Sequence, residues 1–114
     1  IHIRGYESQM PFLLGSADLH LTKPGGLSTS EAAACAVPMV FVDAVAGCEE
    51  NNLRHFVKLG VAVAGNTATE AADLCLELMA EPEALAAMTQ KLRSSKACYA
   101  AEDIWYTLHQ VRTA

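Results

Sequence analysis

Apolar positions along this chain switch between short continuous runs and helix-spaced stripes. Pro38-Met39-Val40-Phe41-Val42 is nearly all apolar, as expected of a strand covered on both faces of a parallel sheet. Asp18 to Thr22, Val61 to Ala64 and Ile1 to Arg4 read as further short strands. Helix patterns lie between them. Gln9 to Gly15 places Met10, Leu13 and Leu14 inward. Ser28 to Ala36 is rich in strong helix formers. Glu49 to Leu59 carries Leu53, Phe56 and Val57 at helical spacing, with Gly60 as its stop. Thr67-Ala68-Thr69-Glu70 has the form of a capping box and opens a helix to about Met79. Glu81-Pro82-Glu83 starts another, because proline is tolerated in a first turn. A last helix is predicted from about Cys98 to Val111, with Ile104, Trp105 and Leu108 on its apolar stripe.

Strands alternating with helices predict an α/β fold, a Rossmann-like parallel sheet with flanking helices. Ligands of such sheets bind beyond the carboxyl ends of the strands. The turns Thr22 to Ser28 and Asp43 to Glu49 both fall there, after successive strands, and are placed to face one crevice.

The first turn carries the candidate chemistry. Gly25 and Gly26 let the backbone approach a ligand, and the helix start that follows offers unpaired N–H groups and the positive end of the peptide dipole. That combination suits a phosphate group, although a tight strand-to-helix turn also uses glycine. Lys23 could add charge, but a solvated lysine is the commoner outcome at a strand end. Ser28-Thr29-Ser30-Glu31 has capping-box spacing, and spacing alone favours Glu31 bonding the Ser28 backbone N–H. Two acids at a helix start, Glu49 and Glu50, usually complement the dipole. His20 reads as a core or sheet-end histidine, and His2, His55 and His109 lack ligand spacing.

Composition narrows the classes. The 114 residues make one domain at most, and 52% apolar against 18% charged content is globular. A net charge of −5 argues against a nucleic-acid partner held by phosphate neutralisation. It leaves anionic small ligands open, since they answer to the local field. Cys35, Cys48, Cys75 and Cys98 are widely spaced, which favours mostly buried structural thiols in a reducing cytosol over a zinc site. No signal peptide or membrane-spanning run is present in the sequence. It opens on Ile1-His2-Ile3-Arg4 without Met, so a piece of a longer protein is expected.

Several motifs together resemble a known family: Ala17-Asp18-Leu19-x-Leu21-Thr22-Lys23-Pro24-Gly25-Gly26-Leu27-Ser28-Thr29-Ser30-Glu31-Ala32, then Pro38-Met39, Gly47-x-Glu49-Glu50-x-Asn52 and Gly60. This order resembles the C-terminal half of GT-B glycosyltransferases, above all the monogalactosyl- and processive glucosyl-diacylglycerol synthases. The peptidoglycan enzyme that adds N-acetylglucosamine to lipid I shares the plan. The likeness implies a UDP-sugar donor site and no tightly bound cofactor. It assigns Gly25, Gly26, Leu27 and Ser28 to the diphosphate and Glu31 to the ribose hydroxyls. Tyr6 and Glu7 fall on the uracil side, and Glu49 and Asn52 at the donor sugar. The family often has Gln where this chain has Cys48, which puts hydrogen bonding to the sugar from that position in question.

The resemblance further implies that residues 1–114 are a nucleotide-sugar-binding domain fragment, with the catalytic base and lipid acceptor site in an N-terminal domain. The chain alone is then expected to be inactive, with bare surface suited to a homodimer. Its expected location is cytoplasmic, peripheral at the inner face of the cell membrane by analogy. Competing expectations are a UDP-N-acetylglucosamine enzyme (the lipid I transferase or a 2-epimerase) and a non-catalytic α/β interaction module.

Overall fold

The computed structural model describes residue 5 and residues 7–42, 48–95 and 107–111. Three short parallel strands, β1 (His20–Thr22), β2 (Met39–Phe41) and β3 (Ala62–Ala64), pair in the order β1-β2-β3. The register aligns Leu21 with Val40 and Val63, and His20 with Met39 and Ala62. Around them lie α1 (Met10–Ser16), α2 (Gly26–Ala34), α3 (Cys48–Lys58), α4 (Ala68–Met79) and α5 (Pro82–Ser94). Residues 107–111 are also helical.

β2 is the centre, with Met39, Val40 and Phe41 all fully buried, as its unbroken apolar run requires. Side chains alternate across a strand, so the two sheet faces have separate cores. On one face Met39, Phe41 and Ala62 pack with Ala32 and Ala33 of α2, Phe56 of α3 and Leu92 of α5. The Phe41 and Phe56 rings meet edge to face with centroids 6.3 Å apart. Val40 is buried outside that cluster and belongs to the other face, where α4 packs on β2 and β3. Gly65 permits that crossing: a Cβ there would stand 2.6 Å from the Ala71 backbone nitrogen.

The helices that feed β2 and β3 end alike. In α3, Gly60 takes φ +77°, its N–H bonds the Val57 carbonyl, and the Val61 N–H reaches back to Phe56. In α2, Ala36 takes φ +56°, its N–H bonds Ala33, and the Val37 N–H reaches Ala32. Both are Schellman closures. Each delivers a buried valine, Val37 or Val61, at the entrance to a strand.

Several expectations change. α2 starts at Gly26, two residues before Ser28, because Gly25 serves as the N-cap. Met10 and Val57 are each 39% exposed, so among the described side chains Leu14 anchors α1 most deeply and Phe56 anchors α3, with Leu53 partly buried beside it. The Thr67 hydroxyl accepts the Glu70 N–H at 3.1 Å, but the Glu70 carboxylate returns to the Asn66 N–H at 2.7 Å, one residue beyond a regular capping box. The four-residue expectation at Ile1 to Arg4 lies outside the described residues, as does most of the predicted last helix. Leu108 and Val111 are 64% and 71% exposed.

Candidate functional site

The glycine turn leaves the carboxyl end of β1 and runs straight into α2. Gly25 has φ −72° and ψ 149°, extended backbone open to any residue. A Cβ on Gly25 would meet nothing within 4 Å, and one on Gly26 only the Asn52 Nδ2, at 3.9 Å. The fold itself therefore does not demand glycine at either position. Among the described residues no side chain caps α2, and no acid stands in its first turn. The first helical bond runs from the Thr29 N–H to the Gly25 carbonyl at 3.0 Å. The N–H groups of Gly26, Leu27 and Ser28 precede it and have no partner within the helix.

The carbonyls of this turn are tied down. The buried Thr29 hydroxyl donates to Gly25 O at 2.8 Å and lies 3.2 Å from Gly26 O, while the Ser30 hydroxyl donates to Gly26 O at 2.7 Å. What remains at the tip is a set of backbone donors with the positive dipole end behind them, an arrangement that attracts an anion. Leu27 is 77% exposed there.

α3 abuts the glycine turn through Asn52. Asn52 Nδ2 donates to the Pro24 carbonyl at 3.1 Å. Glu49 stands three residues earlier on the same helix face. Its Oε1 atom is buried and has no hydrogen-bond partner among the described residues. Glu50 faces outward and pairs with Arg54 at 2.9 Å, an exposed i,i+4 contact worth little.

Glu31 lies in the second turn of α2 and is partly buried. With α2 starting at Gly26, Ser28 is not an N-cap, so the Ser28–Glu31 capping box does not form. Instead the Glu31 charge reaches His20 on β1. Burial lowers the His20 pKa below its usual 6.5, and the Glu31 charge partly opposes that.

The structure thus gathers Gly25, Gly26, Leu27, Ser28 and Glu31 on one turn and helix, and brings Asn52, with Glu49 beside it, against them. Tyr6 lies outside the described residues. The Glu7 carboxylate accepts the Gln9 N–H at 2.9 Å at the entrance to α1, which packs on α2. Sequence reasoning missed Thr29 and Pro24. A threonine inside a run of Ser and Thr carries no mark of burial, and the role of Pro24 rests on a contact 28 residues away. Cys35 and Cys75 are in no disulfide among the described residues and are only partly buried, less deep than expected, and burial raises the Cys75 thiol pKa. No group of three metal-ligating side chains occurs among the described residues. A cleft of about 530 Å³ between Asp18, Met79, Leu85 and Arg93 lies towards the amino end of β1, away from the glycine turn.

No protein-family model matches the chain. Over 97 residues it is 37% identical to the processive diacylglycerol beta-glucosyltransferase of Staphylococcus carnosus, covering 85% of this chain and 25% of that protein. The protein of the same name from Staphylococcus epidermidis is 33% identical over 104 residues (91% and 27%), and that from Bacillus pumilus 32% over 90 (79% and 24%). Among solved structures, the glycotransferase of kitacinnamycin superposes with a TM-score of 0.58 at 25% identity, over 86% of this chain and 27% of that one. The sheet, its flanking helices and this superposition define a partial Rossmann-like domain of GT-B glycosyltransferase type. The chain is a homologue of the processive diacylglycerol beta-glucosyltransferases, and spans about a quarter of their length.

Proposed function

We propose that this chain forms the donor-binding part of a glycosyltransferase that moves a hexose from a UDP-sugar to a lipid acceptor such as diacylglycerol. The observation that carries the reading is the bare tip of α2. Two glycines that internal packing does not require open a run of three backbone N–H groups, on Gly26, Leu27 and Ser28, that no described side chain caps. The diphosphate takes those donors, and Glu31 takes the ribose hydroxyls. Glu49 and Asn52 face the donor sugar, and Tyr6 and Glu7 the uracil. The relatives' name, diacylglycerol beta-glucosyltransferase, supports the lipid acceptor.

Catalysis at this end is electrostatic. Charge grows on UDP as the glycosidic bond breaks, and helix N–H groups aimed at the diphosphate stabilise that charge. Contacts to the sugar orient its reacting carbon. The catalytic base and the acceptor site belong to an N-terminal domain, so 1–114 alone is inactive. No described helix is long and apolar enough to cross a membrane. The protein works as a peripheral enzyme at the cytoplasmic membrane face.

Calorimetric titration with UDP and with ADP tests this. The expected result is saturable UDP binding, weaker ADP binding, and loss of UDP affinity in folded Gly25→Ala and Glu31→Ala variants. A folded wild-type protein that ignores UDP would return the chain to the class of α/β interaction modules.

A further inference from the structure

The peptide unit that leads into the glycine turn is held at both ends. Its oxygen, on Pro24, accepts from Asn52 Nδ2 at 3.1 Å. Its N–H, on Gly25, donates to the Lys23 carbonyl at 2.8 Å. Because the peptide group is planar, these two bonds fix the plane from which Gly25 departs. Gly25 and Gly26 follow, and glycine pairs hold their own shape least well of any residues. The Lys23 bond is local. The Asn52 bond comes from α3, a separate element, and is the one that ties the turn to the rest of the domain.

We propose that Asn52 is a positioning residue for the diphosphate: its amide presets the Pro24–Gly25 peptide, and so the direction of the Gly26, Leu27 and Ser28 N–H groups. This rests on the donor-site reading above and adds to the sugar role assigned to Asn52. The same bond joins the α3 face bearing Glu49 to the glycine turn, so the sugar side and the diphosphate side of the site hold one geometry.

The test compares UDP and uridine binding by wild-type protein and by Asn52→Leu, which keeps the side-chain size and removes the donor. Asn52→Ala, a good helix former, is the second variant should the leucine disturb folding. Losing one hydrogen bond that presets the turn should weaken UDP binding about tenfold. Uridine, which lacks phosphates, should keep its affinity. A merely structural role would weaken both ligands alike, and a sugar contact alone would leave UDP and uridine unchanged while weakening UDP-glucose; either overturns the inference. Wild-type protein that fails to bind UDP overturns the donor reading itself, and this inference with it.

Discussion

Ala36 and Gly60 occupy the same position in two successive helix ends, each at positive φ, one residue before a buried valine that enters the sheet. Only one of them is the residue that the position favours. Alanine in the left-handed region crowds its own carbonyl.

Ala36→Gly should therefore stabilise the fold, by up to about 1 kcal/mol after the entropy of the unfolded chain is counted. Gly60→Ala should do the reverse by a similar amount, set by its positive φ, because the tip of the Lys91 side chain, 2.9 Å from the new Cβ, can swing away. Urea unfolding of the two variants checks both signs.

Gly65 and Gly25 separate two reasons for glycine. A Cβ at Gly65 runs into the α4 backbone at Ala71, which cannot yield like a side chain. Gly65→Ala should cost roughly 1–3 kcal/mol, the range for overpacking a tight site. Gly25→Ala gives up a favoured N-cap residue but also restricts the unfolded chain, so it should change stability by less than about 1 kcal/mol. Thermal melts of the pair distinguish them.

The α4 cap is a local and separable element. Thr67→Ala removes the acceptor of the Glu70 N–H and should cost about 1 kcal/mol. Glu70→Gln should cost less, because the amide oxygen can still accept the Asn66 N–H. Denaturant midpoints for the two variants rank the two arms.

His20 predicts how stability follows pH. Burial lowers its pKa in the fold, with Glu31 pulling the other way. Between pH 6.5 and that lower value, the unfolded chain binds a proton that the folded chain refuses, so stability falls as pH drops through the window. His20→Gln should flatten this slope. Glu31→Gln should deepen the loss, since the opposing charge is gone. Unfolding free energies across pH 5 to 8 give the comparison, with pH 8 as the neutral reference.

Much of this fold was legible in local pattern. The apolar run at Met39 to Phe41 marked a doubly covered strand, Gly60 marked a helix stop, and Pro82 marked a helix start. Three features were not legible. Ala36 holds a glycine's conformation because the closure of α2 onto buried Val37 outweighs local preference. The start of α2 slipped to Gly26 because glycine can serve as N-cap, whereas the spacing of Ser28 and Glu31 suggested a later one. The glycine turn, Glu31, Glu49 and Asn52 were all visible as motifs. The Asn52–Pro24 contact that joins them was not, since it depends on how α3 packs beside α2.

On the proposed reading a nucleoside diphosphate sits on the amino end of α2. Backbone amide spectra of the nitrogen-15-labelled protein titrated with UDP test it most directly. The Gly26, Leu27 and Ser28 amides should shift furthest and saturate together. Shifts that leave those three still and gather instead around the cleft at Asp18 and Arg93 would contradict it.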